Sequence, residues 1–162
     1  MLAPSVGERL GLPPASSIWM ICTFFVARAI SFALLWRMPG WHYRLPLMLA
    51  ALVAAPAALA IVFFSTSLAL LLPALMLFGA CIGLNYYSSI YYSLDYGDEK
   101  GEHSGWHESI IGLGGLIGPL AGVIGAALLG AGHGAPLFIV STAAMIIISG
   151  WTAIMRATAI RS

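Results

Sequence analysis

The sequence predicts an all-α, polytopic membrane protein with about five transmembrane helices. Only 8% of the 162 residues are charged and 60% are hydrophobic, whereas a typical soluble domain is about 25% charged. No Asp, Glu, Lys or Arg occurs from Leu45 to Leu94 or from Ser109 to Met155. A transmembrane helix needs about 20 apolar residues, so each block has room for two crossings. The apolar runs are continuous rather than alternating, which argues against strands.

The first span is predicted from Ser17 to Trp36, and it ends where Arg37, Pro39 and Gly40 follow. Residues 1–16 contain no basic region followed by an apolar core, so they do not have the pattern of a cleavable signal. We therefore expect this segment to be extracytoplasmic and the first helix itself to act as the membrane signal.

The second and third spans are predicted at Pro46–Phe64 and Leu68–Ser93, joined by a minimal turn of Ser65, Thr66 and Ser67. A polar loop is expected from Asp95 to Glu108, because its three glycines make a regular helix doubtful there. The fourth span is expected to begin directly after this loop.

The fourth and fifth spans are predicted at Ser109–Gly130 and Pro136–Met155, so a five-helix domain covers residues 17–155 and residues 156–162 form a basic tail. Lys and Arg occur in the first and third loops and in the tail. Because basic loops stay in the cytoplasm, we expect the N-terminus outside and the C-terminus inside. The cytoplasmic loops supply one set of candidate residues: Arg37, Arg44, Asp95, Lys100, His107 and Glu108.

The composition excludes several classes of function. A net charge of +1 gives no clustered basic face for nucleic acid. The sequence has no nucleophile elbow, P-loop or dinucleotide fingerprint, so we expect neither an enzyme with catalytic residues nor a bound cofactor. Cys22 and Cys81 fall inside apolar segments and are interpreted as packing residues, not as a disulfide or a metal pair.

The fourth span carries small residues at every fourth position. Gly114, Gly118 and Gly122 lie on one helical face, and Gly115 widens the stripe. Small residues at this spacing let two helix backbones approach closely. Pro119 removes a backbone donor and should bend the helix. The stripe therefore predicts close helix packing or, as the alternative, a bend that opens and seals a pathway.

The third span carries a polar face. Asn85, Ser88, Ser89 and Tyr92 are spaced so that they share one side of a helix. Buried amides and hydroxyls need partners, so this face should point into the bundle or a wet cavity. Two interpretations remain open, namely hydrogen bonds between helices with a tyrosine belt at the interface, and a substrate cavity.

Arg28 is the only formal charge well inside a predicted span. A charge at that depth is costly and indicates a functional role by default. One interpretation is that the side chain reaches toward water or bonds a neighbouring helix. The other is that it binds a small polar or anionic substrate. We expect that Arg28 does not face lipid in either case.

His103 and His107 stand four residues apart beside acidic residues. On a helix they would share a face and could hold a metal. Since the glycines of this segment favour a loop, we interpret both as solvated loop residues and expect no metal site.

Three motifs resemble the last five helices of a major facilitator superfamily transporter. The segment 37–44, Arg-Met-Pro-Gly-Trp-His-Tyr-Arg, is similar to the basic loop between helices eight and nine. Residues 97–112 resemble the cytoplasmic loop that leads into helix eleven. Gly114-x-x-x-Gly118-Pro119-x-x-Gly122 is similar to the glycine-proline motif of the family.

The resemblance implies transport by rocking two six-helix halves about a midplane site. About five helices supply less than one such half, so we expect further helices from a second chain or from copies of this one, besides membrane lipids. The alternative is a non-transporting structural subunit of a larger membrane complex. The expected location is a bacterial inner (cytoplasmic) membrane.

Overall fold

The computed structural model describes residues 10–13, 15–42, 44–95, 100–129 and 144 of the chain. Its elements are four α-helices and one short 3-10 turn, and the described residues contain no strand. The helices are α1 (Ser16–Arg37), α2 (Leu45–Phe64), α3 (Leu68–Asp95) and α4 (Lys100–Leu129). The all-helical prediction is therefore confirmed for the described part of the chain.

Three of these helices are long and apolar enough to cross a membrane. The segments are Ile18–Arg37, Pro46–Phe64 and Leu68–Tyr91, and they agree with the first three predicted spans to within two residues at every end. The agreement follows from the charge pattern, since each segment is bounded by the residues that interrupt an apolar run.

The predicted number of five spans is not confirmed. Among the described residues of α4, the apolar stretch found is Gly115–Ile124, which is shorter than a membrane span. The fifth predicted span, Pro136–Met155, lies outside the described residues, as does the basic tail.

The expectation of a polar loop from Asp95 to Glu108 is wrong for the described residues, most of which are helical. Helix α3 continues to Asp95, and α4 already begins at Lys100. Two of the three glycines, Gly101 and Gly105, lie inside the helix, where each costs only about 1 kcal/mol relative to Ala. Since no proline precedes Pro119 in α4, the backbone hydrogen bonds continue through both glycines.

By its contacts the chain divides into two compact units. Among the described residues the first unit lies within 10–42 and 50–85, and the second lies within 44–49 and 86–129. The core of the first unit contains buried apolar side chains from α1, α2 and α3: Met20, Val62, Leu71 and Ala74.

The minimal turn between α2 and α3 is confirmed. The Ser65 hydroxyl accepts a hydrogen bond from the Ser67 amide at 3.2 Å and donates one to the Ser67 carbonyl at 3.0 Å. The Ser65 amide donates to the Ile61 carbonyl at 2.8 Å. These bonds satisfy backbone and side-chain groups at the helix ends, so three residues suffice to join two membrane-length helices.

A tryptophan closes the end of α1. The Trp41 indole donates to the Leu35 carbonyl at 2.9 Å, and the Met38 amide donates to the Leu34 carbonyl at 2.9 Å. The ring of Trp41 is buried and lies on the 3-10 turn Pro39–Trp41. Carbonyls of the last helical turn have no partner within the helix, so the Trp41 indole and the Met38 amide satisfy two of them.

Candidate functional site

Within the first unit, α1 and α3 approach so closely that two positions of α3 have no room for a side chain. A Cβ added at Gly83 would lie 2.9 Å from the Ser31 Cβ and 3.2 Å from the Arg28 carbonyl oxygen. A Cβ at Gly79 would meet the Phe24 carbonyl oxygen and lie 3.2 Å from the Ala27 Cβ. We call this contact the α1–α3 seam.

The sequence explains why the two backbones meet there. Gly79 and Gly83 are four residues apart in α3, and Ala27 and Ser31 are four residues apart in α1. Each pair lies on one face of its helix, so small residues of both helices face each other. The Ser31 hydroxyl donates a hydrogen bond to the Ala80 carbonyl at 3.1 Å across the seam.

An aromatic pair lies beside the glycines. The rings of Phe24 in α1 and Phe78 in α3 have centroids 5.4 Å apart, a distance at which aromatic pairs add to the packing energy. The sequence-based search for candidate residues missed this seam. The signal was present, because Gly79-x-x-x-Gly83 is itself a small-residue motif in an apolar segment.

Arg28 lies at the flank of the seam. Its carbonyl faces Gly83, while its guanidinium carbon lies 5.5 Å from the centroid of the Phe32 ring, one turn further along α1. The side chain is partly exposed, and its Nε atom is buried. A guanidinium over an aromatic face is attracted by the ring quadrupole, so the charge is held against Phe32.

The polar face of α3 is buried to different degrees along the helix. Ser88 is fully buried, with 0% of its surface exposed. Asn85 is partly exposed, although its Nδ2 atom is buried. Ser89 is also partly exposed and donates a hydrogen bond to the Tyr86 carbonyl at 2.9 Å. The side chain of Tyr92, the fourth predicted member, lies outside the described ones.

A hydrogen bond joins α3 to α4 in the second unit. The Tyr86 hydroxyl donates to a Glu108 carboxylate oxygen at 2.8 Å, at an exposed position. The sequence placed Glu108 in a loop, so this partner was not predicted. This hydrogen bond depends on the early start of α4 at Lys100, which places Glu108 on a helix.

The glycine stripe of α4 is only partly described. Pro119 lies inside the helix and is exposed, and Gly122 is partly exposed. A Cβ added at Gly115 would meet no heavy atom within 4 Å in the described part of the chain. The surroundings of Gly114 and Gly118 lie outside the described features. The predicted packing along this stripe therefore stays a prediction.

The other cytoplasmic candidates are placed as follows. Arg37 ends α1 and Arg44 precedes α2, and both are exposed. Asp95 ends α3, Lys100 begins α4 and His107 lies in α4, but the side chains of these three are outside the described ones.

Metal-ligating residue types do not converge in the described residues, which hold no group of three or more His, Cys, Asp or Glu side chains that could bind a metal. His103 and His107 lie on α4 rather than in a loop, and their side chains are outside the described ones. Cys81 is buried, as expected for a packing residue, whereas Cys22 is exposed on α1.

The comparisons with known proteins return no relative. No protein-family model matches the chain, and neither a curated protein nor a solved structure matches it. The resemblance of its loops and its glycine-proline motif to the major facilitator superfamily therefore stays a hypothesis, and function has to be inferred from the residues themselves.

Proposed function

We propose that this chain is a transport protein of the major-facilitator-like type that acts only together with further transmembrane helices. The observation that carries the proposal is the burial of Ser88, a hydroxyl-bearing residue of α3 with 0% exposure. In a transporter bundle the polar groups line an interior pathway and the apolar groups face lipid. A polar residue buried on a long apolar helix fits that arrangement.

The exposed surface of the same helices supports the proposal. Trp19 and Val26 of α1 are 72% and 57% exposed, and Leu70 of α3 is 61% exposed. A water-soluble protein buries such side chains, because exposing them costs free energy in water. Lipid or neighbouring helices can cover them instead, so the outside of these helices is suited to a membrane.

The requirement for more helices follows from the mechanism. Alternating access needs two bundles that rock about a central site, and the five predicted spans are fewer than the six helices of one bundle. We propose that these further helices come from outside the 162 residues of this sequence. The proposed substrate is a small polar or anionic molecule, and the candidate residues for binding it stay those expected from the sequence alone: Arg28, Asn85, Ser88, Ser89 and Tyr92.

Reconstitution of the purified chain in liposomes tests this function. Labelled sugars, amino acids and organic acids are supplied outside, and uptake is measured together with the oligomeric state. We expect uptake only from assemblies that contain additional helices. Specific uptake by a proven monomer would overturn the requirement for further helices.

The α1–α3 seam favours a second candidate, a structural subunit of a larger membrane complex. Backbones that meet at Gly79 and Gly83 leave no space between the two helices, and such contacts are typical of rigid packing. A stable stoichiometric partner together with no uptake of any solute would favour this alternative.

The proposed location is a bacterial inner (cytoplasmic) membrane, with the N-terminus outside and the C-terminus in the cytoplasm. The basic residues Arg37, at the end of α1, and Arg44, just before α2, lie on the side that the proposal assigns to the cytoplasm. Ser5→Cys and Ser162→Cys, labelled with a membrane-impermeant maleimide, report the side of each terminus. Labelling of both from the same side would refute the five-span topology.

A further inference from the structure

The described segment before α1 folds back onto the first unit. We call residues 10–13 the strap. Its two leucines, Leu10 and Leu12, are partly buried. They pack against the buried apolar cluster of that unit, which consists of Met20, Val62, Leu71 and Ala74.

The strap lies at the end of the first unit where α1 begins. Val62 belongs to the last turn of α2, and Leu71 belongs to the first turn of α3. The start of α1, the end of α2 and the start of α3 therefore meet at this end, and the turn Ser65–Ser67 joins the last two. The leucines of the strap cover the apolar core where the helices themselves stop covering it.

A glycine shapes the strap. Gly11 has a φ of +64°, a left-handed conformation that glycine adopts without the steric penalty of a Cβ. A Cβ added there would meet no heavy atom within 4 Å among the described residues, so the backbone conformation and not the available room favours glycine. The turn at Gly11 lets the leucines on both sides of it reach the core.

The two ends of the strap are held by different forces. The Pro13 carbonyl accepts two hydrogen bonds from Ser16, one from the amide at 2.8 Å and one from the hydroxyl at 2.6 Å. In the described part of the chain, Leu10 and Leu12 are held by apolar contacts, and neither is fully buried. The leucines can therefore leave the core while Pro13 stays bonded to α1.

We propose that the strap is a lid that turns about Pro13 and controls the access of water and small solutes to this end of the first unit. Helices α1, α2 and α3 stay packed when the lid opens, because the α1–α3 seam does not involve the strap. The proposal goes beyond transport and does not depend on it, since every contact on which it rests belongs to the first unit.

The rate at which a single thiol reacts with a membrane-impermeant maleimide tests the lid. The protein is placed in phosphatidylcholine nanodiscs, where the reagent reaches both faces of the bilayer. Cys22 and Cys81 are replaced by alanine, and Val62→Cys puts the reporter thiol in the cluster below the strap. Ile61→Cys is the matched reference, because Ile61 lies in the same helical turn but is 44% exposed.

Three changes in the strap are compared. The double variant Leu10→Ser and Leu12→Ser removes the apolar contacts, and we expect it to raise the labelling rate at position 62 by about tenfold or more. Gly11→Val disfavours the left-handed turn and should raise this rate by less. The double variant Leu10→Met and Leu12→Met keeps the apolar volume and should leave it unchanged. The rate at position 61 should stay the same in all three.

A second reporter separates an open lid from a loosened core. Cys81 is buried in α3, ten residues beyond Leu71 and thus about 15 Å further along the helix. It is kept as the single thiol in a variant with Cys22→Ala. Its labelling rate should not change when the strap leucines become serines, because only the end of the unit opens.

Three results would overturn the proposal: an unchanged rate at position 62 in the double serine variant, an equal increase at position 61, or an equal increase at Cys81. If the double serine variant does not fold, Gly11→Val decides the question, and an unchanged rate at position 62 in that variant overturns the lid.

Discussion

The glycines of α3 and α4 have opposite surroundings in the described part of the chain. Gly79 and Gly83 of α3 lie against the backbone and small side chains of α1, whereas a Cβ at Gly112 or Gly115 of α4 would meet no described heavy atom within 4 Å. Both helices carry glycine pairs at close spacing in apolar sequence. The α3 glycines are four residues apart and the two α4 glycines are three apart, and only the α3 pair has a facing helix at contact distance among the described residues.

The facing helix explains the difference. Helix α1 presents Ala27 and Ser31 to α3 at the same four-residue spacing as Gly79 and Gly83. A close approach needs small residues on both sides, because a large side chain on either one holds the backbones apart. A search for such contacts should therefore match small-residue pairs between helices rather than count them along one helix.

The largest effect is expected for Gly83→Leu. Its side chain would have to displace Ser31 and the Arg28 backbone, so α1 and α3 should separate at a cost of about 3 kcal/mol or more. The measurement is the free energy of unfolding in mixed micelles, followed by the fluorescence of the five tryptophans.

The matched control for that variant is Gly115→Leu, which enlarges an open position of α4 by the same amount. It should change the free energy of unfolding by less than about 1 kcal/mol, as exposed substitutions do. Equal losses in the two variants would remove the distinction between the two helices.

A second substitution, Gly118→Leu, tests the part of α4 that stays a prediction. If the stripe Gly114, Gly118 and Gly122 packs on a neighbouring helix, the added side chain should cost about 1–3 kcal/mol of assembly. The expected readout is a change of oligomeric state in mild detergent. A normal yield with an unchanged oligomeric state would show that this stripe carries no contact.

Much of the fold was predictable because it follows from the distribution of charge. The three membrane-length segments begin and end where polar, charged or turn residues interrupt the apolar sequence, and the sequence placed them to within two residues. The beginning of α4 was not predictable in the same way. The sequence predicts that Gly101 and Gly105 interrupt the helix, but a glycine only weakens a helix. Helix α4 continues through both glycines because no proline precedes Pro119 in it.

A smaller effect is expected for Gly79→Ala. The added methyl group would press on the Phe24 carbonyl, a backbone atom that can move only together with α1. We expect a loss of about 1–2 kcal/mol. Gly115→Ala should instead be neutral or stabilising by about 0.5–1 kcal/mol, because alanine has the higher helix propensity. Stabilisation by both substitutions would contradict the tight seam.

The sequence predicted which residues belong to the candidate site, but it did not predict which side chains they contact. The polar face of α3 could be read from helical spacing, and Ser88 is indeed buried. The contact between Tyr86 and Glu108, and the placement of Phe32 under Arg28, depend on where a neighbouring helix begins and on a rotamer. Neither quantity is contained in a hydropathy pattern.

The smallest effect is expected for Ser31→Ala, which separates the hydrogen bond of the seam from its packing. Alanine keeps the Cβ that faces Gly83, so the helices should stay in contact while the bond to the Ala80 carbonyl, at 3.1 Å, is lost. Hydrogen bonds between membrane helices contribute about 0.6 kcal/mol on average, and a loss of that size is the expected result. Ser109→Ala is the control, since the Ser109 hydroxyl bonds only the Gly105 carbonyl of its own helix at an exposed position among the described contacts. A loss of stability for Ser31→Ala as large as that for Gly83→Leu would mean that the Ser31 hydroxyl, rather than the close approach of the backbones, holds α1 and α3 together. Hydrogen bonding, instead of the room available at each glycine, would then have to explain the contrast between the glycines of α3 and α4.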